Sequence, residues 1–268
     1  MSMSTSVAQR AAVAPTARTA SGTLPAADAT YPSFVPLYRQ IKDLIVRGLQ
    51  AGDWAPGAAI PSESELAGRF KVSQGTVRKA IDELAADKLL VRRQGKGTYV
   101  ASHAEQTTQY RFLRLTADLG QTAVLQRRLI DCVRERAPAD VARPLGLRSG
   151  DAIVHVRRLL LADERPVVLD EIFLPGAAFK GLTGARLQAW KGPMYRLFEA
   201  EFGVTMVRAE EQIRAVAADA AQAQTLAVAP GAPLLSVERL AYSYAGRPME
   251  LRRGLYLTEG YHYRNDLS

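Results

Sequence analysis

The sequence predicts an α+β chain of two domains: a small helical unit closed by a β-hairpin, then a larger antiparallel sheet domain with helices between its strands. Three observations carry this. Apolar residues recur at helical spacing from Leu37 to Leu84, and a short strand-like stretch bracketed by glycines follows. Beyond Ala104 the pattern changes to runs of strand length interrupted by helical segments. The charge density drops at the same place: residues 34–104 carry 11 Lys+Arg against 7 Asp+Glu, whereas residues 105–268 carry 22 against 19. A length of 268 residues also suits two ordinary domains better than one continuous core.

In chain order, residues 1–33 are rich in Ala, Ser, Thr and Pro without the apolar block of a secretory signal, and read as a disordered tail. Leu37, Ile41, Leu44, Ile45 and Gly48 then mark a first helix, with Pro36 suited to its first turn, and Gly52 and Pro56-Gly57 end it. Ser62 and Glu65 have the spacing of a capping box opening a second helix, whose apolar stripe is Leu66, Ala67 and Phe70. Val72-Ser73 makes a turn and another N-cap. Val77, Ala80, Ile81 and Leu84 form the buried face of a third helix. Leu89–Val100 reads as a β-hairpin with the basic, glycine-bracketed tip Gln94-Gly95-Lys96-Gly97.

Two short helices joined by a tight turn are the core of a helix-turn-helix. On the exposed side of the third helix Gln74 stacks with Arg78, and Gly75 with Lys79. An amide, a small residue and two cations at a helix N-terminus suit a major groove and its phosphates. Alone, such a face is more often merely solvated. The hairpin tip changes the weighing, because Lys96 between two glycines can sit against phosphate or in a minor groove. A nucleotide P-loop is excluded: Gly97 separates Lys96 from Thr98, and Leu90 stands where the earlier glycine would be.

The runs Pro36-Leu37-Tyr38-Arg39-Gln40-Ile41, Pro61-Ser62-Glu63-Ser64-Glu65-Leu66-Ala67, Val72-Ser73-Gln74-Gly75-Thr76-Val77-Arg78 and Gln94-Gly95-Lys96-Gly97-Thr98-Tyr99-Val100 resemble the DNA-binding domain of the GntR regulators. The resemblance spans residues 36–100. It implies a winged helix-turn-helix in which Ser73, Thr76 and Arg78 contact the operator, with Gly95 from the wing. Ser62, Glu63, Gln74, Gly75, Lys79, Gln94 and Lys96 complete the candidate DNA-binding set. Many members have Arg where this chain has Gln74, and Gln pairs adenine by preference, so base choice at this position departs from the family.

In the second domain the pattern predicts a strand over Ala123–Arg136, a short helix over Asp140–Leu147, and strands over Ala152–Leu161 and Pro166–Leu174 turned at Ala162–Arg165. A helix over Pro193–Phe202 and a strand over Met206–Val216 follow. Next come a helix over Asp219–Val228 capped by Asp219, and a hairpin of Leu234–Tyr244 and Pro248–Thr258. The stretches Gly150–Leu159, Pro166–Pro175, Glu211–Ala215, Pro233–Arg239 and Pro248–Tyr256 resemble the UTRA sensor domain of the HutC branch of GntR regulators. That resemblance implies a chorismate-lyase-like fold without catalysis and with an effector in its cleft.

Strand alternation puts Glu250, Arg252 and Tyr256 on one face of the last strand. Two readings of that face stand, a pocket or a solvated face with one ion pair. The resemblance favours the pocket for Glu250 and Tyr256, and adds Arg158 and Glu171 from the effector-contacting strands; Asp170 replaces Glu171 if the register is off by one. Phosphosugar-binding members tend to carry Arg-x-Arg on the first of these strands, whereas Leu160 stands two positions after Arg158. A small carboxylate or other weakly anionic metabolite is the expected effector.

No enzyme motif is visible. Cys132 reads as an inert strand thiol, and His103, His155 and His262 show no metal spacing. The lone cysteine excludes an internal disulfide and fits a reduced, cytoplasmic setting; no apolar run is long enough to span a membrane. The expected domains are 1–33 (tail), 34–104 (winged helix-turn-helix) and 105–268 (sensor). The expected partners are a double-stranded, pseudo-palindromic DNA operator, a small-molecule effector and a second copy of the chain, with no cofactor.

Overall fold

A computed structural model describes residues 35–103, 115–118 and 125–264. The tail over 1–33, the domain boundary at 104 and the first residues of the strand expected from Ala123 lie outside them.

The first domain contains α1 (Leu37–Ala51), α2 (Glu63–Phe70), α3 (Gln74–Ala86), β1 (Leu90–Arg93) and β2 (Gly97–Val100). Local chemistry sets its boundaries. Gly52 ends α1 in the left-handed conformation at φ 79°, which costs a glycine nothing. Ser62 and Glu65 form the expected capping box, and the Ser73 hydroxyl accepts the Thr76 N–H. Ile41, Ile45, Leu66, Val77, Ile81 and Leu84 interlock the three helices in one core. Leu37 does not join it, being 49% exposed. In the hairpin Arg93 pairs with Gly97, leaving Gln94-Gly95-Lys96 as the tip, with Gly95 at φ 69° and Gly97 at φ 99°. Ala59 bridges to Tyr99, adding a third backbone segment to the wing.

The second domain is built on a six-stranded, wholly antiparallel sheet. Its strands are β4 (Gln126–Arg136), β5 (Ala152–Ala162), β6 (Arg165–Pro175), β7 (Arg208–Ala217), β8 (Pro233–Tyr242) and β9 (Pro248–Leu257), in spatial order β4-β5-β6-β9-β8-β7. A separate two-stranded sheet pairs β3 (Leu115–Ala117) with β10 (Tyr261–Tyr263), which the sequence pattern did not indicate. Asp163 and Glu164 make the β5–β6 turn, both at positive φ. The helix expected over Asp140–Leu147 is only α4 (Ala139–Ala142). Arg143 keeps helical backbone, but Pro144 offers no N–H to continue the ladder and Gly146 turns into the left-handed region at φ 64°.

Helices cover both faces of the sheet. On one, α5 (Gly184–Ala189) and α6 (Met194–Phe202) pack near Val154, Val156, Ile172 and Leu174. On the other, α4 packs at one end against Ile153 and Phe173. Helix α7 (Ala220–Leu226), opened by an Asp219–Gln222 capping box, packs at the other end against Leu159 and Leu169. The domains touch: Tyr244, in the turn between β8 and β9, packs into the core of the helical domain.

A candidate DNA-reading face and a candidate ligand cavity

The exposed side of the first domain brings together the start of α2, the start of α3 and the hairpin. Glu63 sits at their junction. Its carboxylate takes Arg78 from α3 at 2.9 Å and Arg92 from β1 at 3.0 Å, and Arg92 also reaches Asp82 at 2.7 Å. Burial pushes the Glu63 carboxyl up, but the two guanidiniums outweigh it and hold it below the usual carboxylate range. Glu63 thus orients two arginines while half-buried between them. Gln74, Gly75, Arg78, Gln94, Gly95 and Lys96 are exposed on this side. Ser73 and Ser62 are occupied as helix caps, and Thr76 bonds Ser73 at 2.8 Å. Lys79 stands apart: its ammonium lies 4.1 Å from the centre of the Tyr38 ring. The basic tip and the polar start of a helix suit a polyanion with a groove.

In the second domain the sheet face under α6 holds a buried ionic network. Arg158 donates to Asp170 from Nε at 3.0 Å and from Nη2 at 2.8 Å, and Arg252 lies 3.7 Å from the same carboxylate oxygen. Arg252 also donates to both oxygens of Glu250, at 3.1 and 3.2 Å. The Tyr195 hydroxyl, from α6, donates to Glu250 at 2.8 Å. Arg239 bonds Glu211 at 2.6 Å, and the Tyr263 hydroxyl donates to Glu211 as well. Three guanidiniums therefore meet three carboxylates, and charge balances across the face. Burial alone would raise the Asp170 carboxyl; Arg158, Arg252 and Arg239 reverse the sign and lower it. Tyr256 goes the other way, pushed up to about 12 by burial and by Asp170. A β-carbon at Gly254 would lie 2.5 Å from the Tyr256 ring, so glycine there lets that ring cross its own strand.

Of the residues expected around an effector, Arg158, Glu250, Arg252 and Tyr256 share this face. Glu171 does not. Directly paired strand residues share a face, and Arg158 pairs with Asp170 whereas Arg157 pairs with Glu171. Glu171 points to the opposite side, 3.4 Å from Arg157, and Asp170 takes its place. No strand alternation points to Tyr195, which arrives from a helix. Arg239 reaches the same face by the alternation of β8, where it pairs with Arg252.

Beside the network lies a cavity of about 380 Å³, bounded by β4, β5, α5 and α6. Arg158 is its link to the network. Arg127 and Lys191 flank it, and Leu129, Trp190 and Met194 supply part of its wall. Desolvation, then the like charge of Arg158, lower the Arg127 pKa. No described helix is long and apolar enough to cross a membrane, and no cluster among the described residues could hold a metal ion. The three histidines have separate partners: His103 meets the Met206 carbonyl, His155 meets Glu135, and His262 meets Asp118. Cys132 is half-buried, and burial followed by Asp131 raises its thiol pKa.

Comparison with known proteins agrees with both halves. Residues 37–100 match the family of bacterial regulatory proteins described as gntR, and residues 120–262 match the UTRA domain. The mannosyl-D-glycerate transport/metabolism system repressor MngR of Escherichia coli K12 is 30% identical over 235 residues, covering 85% of this chain and 94% of that protein. The histidine utilization repressor of Pseudomonas aeruginosa is 27% identical over 209 residues, covering 78% and 82%. A crystallised ligand-binding domain, assigned to the GntR-family transcriptional regulators of Bordetella bronchiseptica, is 53% identical. It covers 59% of this chain and 99% of its own, with a TM-score of 0.58. The chain belongs to the gntR family of bacterial regulatory proteins and is a transcription regulator with a UTRA domain, not an enzyme.

Proposed function

We propose that this regulator is a HutC-type repressor that binds a pseudo-palindromic operator as a homodimer and releases it when a small anionic molecule enters the cavity beside Arg158. The observation that carries the DNA half is Glu63, which holds Arg78 of α3 and Arg92 of the wing in one exposed constellation. Two such units would read half-sites about one helical turn apart. The repressor sign is supported by relatives named as repressors, MngR and the histidine utilization repressor among them.

Coupling would pass through the connector that leaves the wing. Ser102 donates to Glu199 of α6 at 2.5 Å, the His103 N–H donates to the same carboxylate at 3.1 Å, and the His103 ring bonds the Met206 carbonyl. A difference of about 1–3 kcal/mol between two arrangements of the domains changes operator affinity roughly 5–150-fold.

The test is selection of random duplex DNA by the purified chain at a stated, near-physiological salt. Enrichment of a palindrome is expected, with an affinity that falls when effector is added. Equal retention of random duplexes, with and without a metabolite pool, would sink the proposal. Tightening by effector would reverse the sign alone.

A further inference from the structure

We infer that the cavity takes an organic carboxylate with an apolar body of about one ring, rather than a phosphorylated sugar; this rests on the reading of the cavity as the effector site. The charge comes first. Arg158 is neutralised by Asp170, but among the described residues Arg127 and Lys191 have no carboxylate partner and no carboxylate lines the cavity. Arg127 donates to the Lys191 carbonyl at 3.4 Å, and both residues border the space. Both residues are exposed, so an anion entering the space would meet two cations with no competing carboxylate, and a fork-shaped guanidinium pairs a carboxylate in plane.

The wall decides the body of the ligand. Leu125, Leu129, Leu187, Met194 and Leu197 present hydrocarbon, and Trp190 has already given its indole N–H to the Pro193 carbonyl at 3.0 Å. Only the carbon surface of Trp190 remains for a ligand. The uncharged polar side chains of the lining are two amides, Gln126 and Gln188. A sugar ring would bury several hydroxyls against leucines without partners, each at a cost, whereas an aromatic or alicyclic ring gains from the same contact. Leu160, at the strand position after Arg158 that faces the same way, adds no donor. A volume of about 380 Å³ suits one small ring and its acid side chain.

The experiment uses the full chain with five probes: phenylacetate, indole-3-acetate, the neutral isostere phenylacetamide, glucose 6-phosphate and inorganic phosphate. Thermal shift and calorimetry read binding. The emission of Trp190, isolated in a Trp54→Phe variant since the chain has two tryptophans, reads location. The carboxylates are expected to bind saturably and to change Trp190 emission. Phenylacetamide, and the carboxylates on Arg127→Ala, are expected to bind more weakly by at least about tenfold. Leu129→Trp, which fills the cavity, should abolish binding.

Binding of glucose 6-phosphate but neither carboxylate, lost in Leu129→Trp, would overturn the ligand class and leave the cavity as effector site. Carboxylate binding that survives both Arg127→Ala and Leu129→Trp would overturn the assignment to this cavity. Absence of binding by both carboxylates would overturn the class as stated. Binding of a carboxylate that leaves affinity for the selected operator unchanged would support the class and sink the effector reading.

Discussion

Replacing Asp170 by Asn tests the charge balance of the sensor domain most directly. The substitution keeps the shape and one acceptor but removes one of three carboxylates facing Arg158, Arg239 and Arg252. These arginines are 7%, 1% and 7% exposed, so the surplus positive charge has little water to relax into. Breaking a buried ion pair by removing one partner costs about 3–5 kcal/mol. For a domain of this size each kcal/mol moves the melting temperature by roughly 2–4 °C, giving a loss of roughly 6–20 °C. Urea and thermal melts, followed by circular dichroism on the full chain, measure it. The dependence on acid has a definite sign. The Asp170 carboxyl is lowered in the folded state, so its contribution is present above the unfolded value near 3.9 and is lost as pH falls through the folded value. The gap between the native chain and Asp170→Asn should therefore close below about pH 4. A double variant, Asp170→Asn with Arg158→Met, should lose less than the two single losses combined. A loss below about 1 kcal/mol for Asp170→Asn at neutral pH, or a gap that does not narrow as pH falls below about 4, would refute the argument; the small loss would mean that the network behaves as an exposed one.

Three other outcomes are expected. Arg78→Ala should cost about 1–3 kcal/mol on the selected operator while leaving random duplex binding nearly unchanged, measured by titration at fixed salt; equal losses on both would make Arg78 a phosphate contact. Gly254→Ala should destabilise the second domain by about 1–3 kcal/mol, because its β-carbon would drive into the Tyr256 ring, and a neutral melt would show that this ring has room to move. Glu199→Ala should speed amide exchange from Val100 to His103 while α3 stays protected. Unaltered exchange there would show that the connector is not held by this carboxylate.

The parts of the structure legible in the sequence are those decided within a few residues. The Ser62–Glu65 capping box, the Ser73 and Asp219 N-caps and the β5–β6 turn all arise from short-range hydrogen bonds and backbone preferences, and all stand as expected. The end of the helix expected over Asp140–Leu147 was equally local, since Pro144 and Gly146 stop it within a few residues. The candidate sensor site was legible only in part, since a strand face is set by pairing with another strand. Alternation within β9 grouped Glu250, Arg252 and Tyr256, but nothing local says whether Asp170 or Glu171 faces Arg158. Tyr195, Arg127, Lys191 and Trp190 come from elements that meet β5 only in three dimensions, and no spacing rule reaches them.

The placement of α6 explains why a ligand in the cavity could be felt at the wing. Met194 and Leu197 line the cavity, whereas Tyr195 and Glu199, one turn apart on the same helix, make the bonds on its other side. Tyr195 joins the ionic network through Glu250, and Glu199 holds Ser102 and His103 at the exit of β2. The His103 ring also lies edge-on to Tyr195 at 5.4 Å, so the two connections share one contact. A helix of nine residues moves as a unit, and a packed core accommodates a new occupant by shifting elements rather than by compressing. On the proposed reading, a ligand that displaced Met194 and Leu197 would carry Glu199 with them, and the first residues to follow would be Ser102 and His103 at the exit of the wing.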